Sequence, residues 1–175
     1  ILIILACLAA GGAAGGLRWL QGGLPPISRL QRIEPSIKTL FFSAEGDTLA
    51  EFYEENRVLV PIERIPARMI DALLAIEDRA FFDHWGINIR AIFRAFIRNM
   101  EAGRVVQGGS TITQQLSREL FLTKDQTYIR KALEAMVALE IEKAYTKDEI
   151  LEMYLNQIYF GSRSYGIEAA AQTYF

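Results

Sequence analysis

Three patterns of apolar and polar residues follow one another along this chain. Residues 1–17 carry no charged side chain, and Arg18 and Trp19 come directly after them. Residues 37–60 contain short runs that are typical of β-strands, bounded by turn residues. From Pro66 onward, apolar side chains recur every three or four residues, which is the period of an α-helix. The pattern therefore predicts an apolar anchor, a small β region and a mainly α domain.

The apolar segment at residues 1–20 predicts a transmembrane anchor that is truncated at its start. A membrane span needs about 20 apolar residues, and Arg18 and Trp19 are typical of its boundary with water. The apolar core of a cleaved signal peptide is the alternative, since small residues follow it. Cys7 is the only cysteine, so the chain has no intramolecular disulfide.

Residues 21–60 predict a linker that contains a β-hairpin. Two strands are predicted over residues 37–42 and 49–53, and residues 44–47 have the composition of the turn between them. We expect residues 61–175 to form one domain that is cut at its C-terminal end, in a chain that is part of a longer protein.

Capping residues divide this domain into several helices. Asn88 is a predicted helix cap, and Thr111 has Gln114 three residues later, which is the spacing of a capping box. Further helices are predicted over residues 127–144 and 147–159.

Glu77 interrupts an apolar helix face. Ile70, Leu73 and Leu74 recur at the spacing of one face. Glu77 falls next in that series, whereas Asp78 falls on the opposite, polar side. A carboxylate on a buried face is costly to ionise, so we expect a raised pKa, as in a general acid or base. Fraying of the helix end, with Glu77 in water, is the alternative that this segment leaves open.

Glu134 is the second candidate carboxylate. Arg130 precedes it by four residues, so the two side chains can pair on one helix face. Enzymes that act on glycosidic bonds use a pair of Asp or Glu residues, but a surface salt bridge explains the same spacing. Whether Glu77 and Glu134 meet depends on the fold.

Gly108 and Gly109 precede the helix that is predicted to start at Thr111. Glycines let a backbone approach a ligand closely, and the N–H groups of a helix N-terminus favour phosphate. The polar and basic residues that follow are Gln115, Arg118, Arg130 and Lys131. Together these groups suit a diphosphate, although a glycine hinge, an ordinary cap and solvated helix faces remain as alternatives. The Gly-Lys-Ser/Thr ending of a P-loop is absent.

The composition excludes two further kinds of site. The net charge is −2 with 23% charged residues, so the chain has no basic field for nucleic acid. His84 is the only histidine, and with one cysteine in the chain it cannot build a zinc site. We expect His84 to have a structural or hydrogen-bonding role.

Taken together, five segments resemble the motifs of the peptidoglycan glycosyltransferase domain of class A penicillin-binding proteins, glycosyltransferase family 51. They are EDRAFFDHWG from residue 77, GGSTITQQL from 108, RKALE from 130, KDEILEMYLNQIYFG from 147 and YGIEAAAQTYF from 165. Ordered motifs of this length are specific, and the resemblance covers residues 37–175. It implies a mainly α, lysozyme-like and bilobal fold with a membrane-associated lobe.

This resemblance also implies an activity and a location. The domain would polymerise lipid II into β-1,4 glycan strands with inversion, releasing undecaprenyl diphosphate from the growing strand. The parent protein would be a single-pass protein of the bacterial cytoplasmic membrane, with this domain on the outer side, acting in cell wall synthesis and cell shape. Lipid II, the growing strand and the membrane are the implied partners. A C-terminal transpeptidase domain and other cell wall synthesis proteins are further candidates, and no nucleic acid is expected.

By the same resemblance, Glu77 is the base for the acceptor hydroxyl. Glu134 lies near the diphosphate, where Mg²⁺ or Mn²⁺ is a candidate cofactor. The expected substrate-binding residues are Asp78, Gly108, Thr111, Gln115, Arg118, Arg130 and Lys131. Phe81 and His84 are expected to support the site. The family usually has Lys-Asn where this chain has Arg118-Glu119, which leaves the role of Glu119 open.

A peptidoglycan-cleaving lytic transglycosylase or muramidase on a lysozyme-like fold is the alternative. Such an enzyme also needs an acidic residue, but it needs no diphosphate site. Arg118, Arg130 and Lys131 therefore favour polymerisation. A non-catalytic module that only binds lipid II or the membrane is disfavoured by the presence of Glu77 and Glu134.

Overall fold

The structure, a computed structural model, describes residues 39–52, 55–121 and 127–175. The predicted anchor at residues 1–20 and the linker up to residue 38 lie outside these ranges. Within them, every helix is too short or too polar to cross a bilayer.

The predicted hairpin is present. Strand β1 (Thr39–Phe42) pairs antiparallel with β2 (Thr48–Phe52), with Thr39 opposite Phe52. The side chain of Ser43 accepts hydrogen bonds from the backbone N–H groups of Glu45 and Asp47, both at 3.2 Å. These bonds satisfy backbone N–H groups of the turn locally.

Six α-helices make up most of the described residues, which confirms the mainly α prediction. They are α1 (Ala67–Glu77), α2 (Ile89–Ala102), α3 (Ile112–Phe121), α4 (Tyr128–Ala144), α5 (Lys147–Gln157) and α6 (Ile167–Tyr174). Short 3₁₀-helices lie at Ile62–Arg64 and Phe81–Asp83.

The predicted caps start their helices. The side chain of Asn88 accepts a hydrogen bond from the N–H of Ala91 at 2.9 Å. Thr111 and Gln114 exchange reciprocal side-chain to backbone hydrogen bonds at 3.1 Å, so the capping box before α3 is confirmed.

Helix α5 ends earlier than predicted, at Gln157 rather than at Tyr159. Ile158 is extended, and Tyr159 forms an antiparallel bridge with Tyr165. Pairing with the returning chain therefore replaces the last helical turn.

The core lies where α3, α4 and α5 pack together. Its fully buried side chains are Phe81, Ile112, Leu116, Ile141, Ile150, Leu151 and Leu155. Ile70, Leu73 and Leu74 of α1 are only partly buried against this cluster. Helix α1 therefore lies at the edge of the core, which decides the exposure of the residues at its end.

A second, two-stranded parallel sheet joins the residues before Pro61 to the helical body. Strand β3 (Asn56–Arg57) pairs with β4 (Ser164–Tyr165). The buried guanidinium of Arg57 donates to the carbonyl oxygen of Asn156 at 2.9 Å and to the side chain of Gln157. The sequence analysis missed this sheet, because two-residue strands have no periodicity to detect.

Helix α2 presents an apolar face to its surroundings. Ala95 is its only buried residue. The exposed apolar side chains of α2 are Ile89, Ile92, Phe93, Phe96, Ile97 and Met100, and Val105 and Val106 of the following loop are exposed as well. An apolar patch of this extent marks an interaction surface.

The side chain of Asn156 connects the residues before the 3₁₀-helix at Ile62–Arg64 to α5. It accepts a hydrogen bond from the N–H of Val60 at 2.9 Å and donates to the Val60 carbonyl oxygen at 2.8 Å. Both Val60 and Asn156 are buried, so water cannot replace these bonds.

We predict that Asn156→Ala lowers the free energy of unfolding by at least about 2 kcal/mol, because it leaves two buried backbone groups without partners. Urea unfolding followed by circular dichroism measures the change. Gln172→Ala removes an exposed amide from α6 and is the matched control, with an expected change within about 0.5 kcal/mol. A loss below about 1 kcal/mol for Asn156→Ala would contradict this role.

Candidate active site

Glu77 and Gln115 bring the end of α1 to the side of α3. The amide Nε2 of Gln115 donates a hydrogen bond to Oε2 of Glu77 at 2.8 Å. Glu77 is the last residue of α1 and its side chain is exposed. Our prediction that Glu77 is buried is therefore wrong, because α1 ends where its apolar face leaves the core. The carboxylate is accessible and is held by a neighbouring helix.

Tyr154 of α5 fixes the orientation of the Gln115 amide. Its hydroxyl donates to Oε1 of Gln115 at 3.1 Å, so the amide N–H₂ end is the one that faces Glu77. Burial, with smaller contributions from the negative charges of Glu77 and Glu119, raises the pKa of Tyr154 to about 12, although the positive charge of Arg118 opposes the shift. The hydroxyl therefore keeps its proton at neutral pH and remains a donor.

The sequence analysis did not single out Tyr154. The available signal was a tyrosine within the apolar series of α5, since a buried tyrosine hydroxyl usually has a hydrogen-bond partner.

Asp78 is buried, and its carboxylate joins the loop after α1 to the start of α3. Its Oδ2 accepts a hydrogen bond from the backbone N–H of Ile112 at 3.2 Å and lies 2.9 Å from Nε2 of His84. A carboxylate at this place is stabilised by the positive end of the helix dipole. The prediction that Asp78 lies on a polar face is wrong, because the residue is extended (φ −157°) and turns its side chain inward.

His84 has the hydrogen-bonding role that its sequence context predicts. Its Nδ1 accepts from the N–H of Gly86 at 3.1 Å, which leaves the proton on Nε2 to be donated to Asp78. Phe81 is fully buried, and its ring meets the imidazole edge-on at 6.1 Å. Both residues support the loop after Glu77.

Thr111 completes the same connection. Its hydroxyl donates to the carbonyl oxygen of Gly86 at 2.6 Å, and the side chain is buried. We expected Asp78 and Thr111 to contact substrate, but their polar atoms are used within the protein. In this structure they position α3 instead of lining an open surface.

Glu134 lies between two cations on α4. Its carboxylate oxygens contact Nη1 of Arg130 and Nζ of Lys131, each at 2.6 Å, and the residue is almost fully buried. The predicted pairing of Arg130 with Glu134 is thereby confirmed. The cluster contains two positive charges and one negative charge, so its net charge is +1. Lys131 is its exposed end.

Side chains of α3 and its preceding turn tie this cluster to the rest of the site. The Lys131 ammonium also donates to the hydroxyl of Ser110 at 2.7 Å. The hydroxyl of Ser117 donates to the backbone carbonyl oxygen of Glu134 at 3.1 Å. Helix α3 therefore contacts Glu77 through Gln115 on one side and α4 through Ser117 on the other.

The two glycines before α3 differ in their surroundings. A Cβ added to Gly109 would lie 2.9 Å from the Cα of Ile92, so this position needs a glycine for close packing against α2. A Cβ on Gly108 would meet no atom within 4 Å. At Gly109 the backbone closely approaches α2 of the protein itself, whereas the expectation was a close approach to a ligand. Gly108 borders open space.

Arg118 lies one helical turn beyond Gln115 and contacts the next residue in the chain. Its Nε and Nη2 lie 3.3 and 3.2 Å from Oε1 of Glu119. Both side chains are more than one-third exposed, at 38% and 36%. The guanidinium is therefore open to solvent and paired with a carboxylate that solvent also reaches.

The surroundings of Glu134 do not fit a divalent cation held by protein side chains. Both of its carboxylate oxygens already contact a cation, Arg130 or Lys131. Among the residues that the structure describes, no three acidic, histidine or cysteine side chains form a group suited to a metal ion.

An accessible carboxylate at Glu77 and a second carboxylate held between cations at Glu134 are compatible with an enzyme that acts on glycosyl bonds, since such enzymes use a pair of Asp or Glu residues. The sequence matches the transglycosylase family over residues 45–175, and the chain belongs to that family. This match confirms the peptidoglycan glycosyltransferase domain that the five motifs predict.

Several curated proteins are similar to the chain. Penicillin-binding protein 1A of Escherichia coli is 42% identical over 177 residues, which cover 99% of this chain and 21% of that protein. Penicillin-binding protein 1A of Haemophilus influenzae is 51% identical over 134 residues, or 77% of this chain and 16% of that protein. Penicillin-binding protein 1F of Bacillus subtilis is 49% identical over 130 residues, or 74% and 18%. The chain spans about a fifth of the length of these relatives.

We predict that Tyr154→Phe lowers the rate of glycan polymerisation about fivefold, because the Gln115 amide loses the hydrogen bond that orients it towards Glu77. A fluorescent lipid II polymerisation assay measures the rate. Tyr159→Phe removes the hydroxyl of an exposed tyrosine beyond α5 and is the control. An unchanged rate in a folded Tyr154→Phe protein would contradict the orienting role.

Proposed function

We propose that this domain polymerises lipid II into β-1,4 glycan strands, with inversion at the anomeric carbon and release of undecaprenyl diphosphate. The observation that carries the proposal is the arrangement around α3. An accessible carboxylate, Glu77, is held by Gln115 of this helix. A cluster of cations around Glu134 is connected to the same helix and its preceding turn.

Glu77 is the proposed general base. Its carboxylate takes the proton of the acceptor 4-hydroxyl while that oxygen forms a bond to the anomeric carbon of the donor. The bond from this carbon to the diphosphate oxygen breaks, and its electron pair leaves with the diphosphate. Exposure of Glu77 lets a sugar hydroxyl reach the carboxylate, and the hydrogen bond from Gln115 limits its orientation.

The cations of α3 and α4 are the proposed diphosphate site. Lys131 is nearly half exposed, and the cluster that it shares with Arg130 and Glu134 carries one excess positive charge. The Nε of Arg130 is buried and has no hydrogen-bond partner within the described part of the chain. This buried nitrogen is closed to a ligand, so the exposed ammonium of Lys131 is the part of the cluster that a phosphate oxygen would contact. Arg118 supplies a further cation on α3.

A cleaving enzyme remains the competing function, and the same cations disfavour it. Finished glycan carries no diphosphate, so Arg118 and Lys131 would have no anionic group of the substrate to bind. A polymerase needs both the base and the cations, which is the combination that this domain offers.

We also propose that the domain works at the outer surface of the bacterial cytoplasmic membrane as one lobe of a lysozyme-like, bilobal unit. The exposed apolar face of α2 supports contact with lipid, since its side chains include Ile89, Phe93, Phe96 and Met100. Residues 1–20 would supply the anchor. A transpeptidase domain and other cell wall synthesis proteins are the proposed partners, because the relatives are about five times longer than the chain.

We predict that the full-length protein forms polymer from lipid II and does not degrade finished glycan. Glu77→Gln keeps the shape of the side chain but removes the base, so polymerisation should fall by at least about 100-fold while lipid II binding is retained. Gel separation of fluorescent products measures polymer, and fluorescence anisotropy measures binding.

Glu140→Gln is the control for this experiment, because it removes an exposed carboxylate elsewhere on α4. Degradation of glycan without polymer formation would overturn the proposed function. Substantial polymer from Glu77→Gln would overturn the role of Glu77 alone.

A further inference from the structure

Arg118 and Glu119 form an ion pair that neighbouring residues of a helix rarely make. Adjacent side chains on a helix point about 100° apart and do not normally face each other. Here the guanidinium bends so that two of its nitrogens lie 3.3 and 3.2 Å from one oxygen of Glu119. The carboxylate therefore occupies donors that Arg118 would otherwise present to a ligand.

Every cation of the proposed diphosphate site is paired with a carboxylate. Glu134 contacts both Arg130 and Lys131, and Glu119 contacts Arg118. The two carboxylates differ in burial, because Glu134 is 2% exposed at its side chain and Glu119 is 36% exposed. A bound diphosphate can displace Glu119 into water at little cost, whereas Glu134 has no such route.

Glu119 lowers the net positive charge of the proposed diphosphate site. Arg118, Arg130 and Lys131 are paired with the two carboxylates Glu119 and Glu134, so these five side chains carry a net charge of +1. Without Glu119 the net charge of the remaining four is +2. Glu119 is the more exposed of the two carboxylates, so it is the one that a bound diphosphate can replace.

We propose that Glu119 is an internal competitor for the lipid diphosphate at Arg118, and that it weakens the binding of both the donor strand and the released lipid diphosphate. Carboxylate and phosphate both bind the fork of a guanidinium, so the two anions compete for the same donors. The inference rests on the proposed function, since it requires that Arg118 binds the diphosphate. Glu119 acts through Arg118 and is not a catalytic residue.

A polymerase must release a lipid diphosphate in every cycle, and this competition favours that release. A carboxylate that returns to Arg118 as the product leaves lowers the affinity of the site for that product. The effect falls on binding and release, and the bond-making step at Glu77 is left unchanged. Added salt should weaken it, because both partners are exposed.

The test uses Glu119→Gln, which keeps the shape of the side chain, and Glu119→Asn, which removes the charge with a shorter side chain. The probe is undecaprenyl diphosphate in detergent micelles, titrated against the full-length protein at low and at high salt. We expect Kd to fall about fivefold for both variants at low salt, the limit set by the strength of exposed ion pairs. The gain should shrink at high salt.

Glu140→Gln is the matched control, since it removes a carboxylate from another exposed pair, that with Lys143. Arg118→Ala, alone and combined with Glu119→Gln, completes a double-mutant cycle. We expect Arg118→Ala to weaken binding and Glu119→Gln to have no further effect in its presence.

Three results would overturn the inference. The first is a Kd that changes less than twofold in both Glu119 variants. The second is an equal gain for Glu140→Gln, or an equal gain with and without Arg118, because either result would mean general repulsion instead of competition at Arg118. The third is unchanged binding in Arg118→Ala, which would also remove Arg118 from the proposed diphosphate site. If Arg118→Ala weakens binding but neither Glu119 variant changes Kd in the protein that keeps Arg118, the first of these results applies: the competition is overturned, and the proposed diphosphate site is not.

Discussion

The buried polar side chains of α3 are the constraint on which the site depends. A buried polar group without a partner is costly. The hydroxyl of Thr111, directly before α3, donates to the Gly86 carbonyl oxygen, and the hydroxyl of Thr113 donates to Glu142 at 2.6 Å. Sliding α3 by one residue would break both bonds. The Ser117 hydroxyl lies 3.1 Å from the backbone carbonyl oxygen of Glu134 and also 2.8 Å from that of Gln114 in its own helix. The helix therefore holds Gln115 at a fixed place between α1 and α4.

A second set of charges, Lys147 and Glu142, holds the loop that follows Glu77. Lys147 contacts the carboxylate of Glu142 at 2.7 Å and donates to the carbonyl oxygen of His84 at 2.6 Å. Its ammonium also lies 4.4 Å from the centre of the Phe81 ring, within range of a cation–π contact. The start of α3 and the start of α5 thus both contact this loop, which follows directly after the accessible carboxylate of Glu77. Contacts of this kind are what an enzyme needs to position a general base.

Local patterns were sufficient to predict the helices, their caps and the pairing of Arg130 with Glu134, because these depend on neighbours within four residues. The exposure of Glu77 was not predictable in this way, since it depends on where α1 leaves a core made by α3, α4 and α5. The same holds for Asp78 and Tyr154, whose partners are 34 and 39 residues away. The motif resemblance identified the family. The structure was needed to tell the residues that position the site, such as Asp78 and Thr111, from the accessible residue Glu77.

Gln115 contributes to the reaction by holding the carboxylate of Glu77 in position. A double-mutant cycle on the polymerisation rate tests this role most directly. The rates of the protein with Gln115→Ala, with Glu77→Gln and with both substitutions are compared with that of the unaltered protein. If Gln115 works through Glu77, Gln115→Ala should cost about tenfold on its own and nothing further once Glu77 is replaced. Equal costs of Gln115→Ala in both backgrounds would contradict the account.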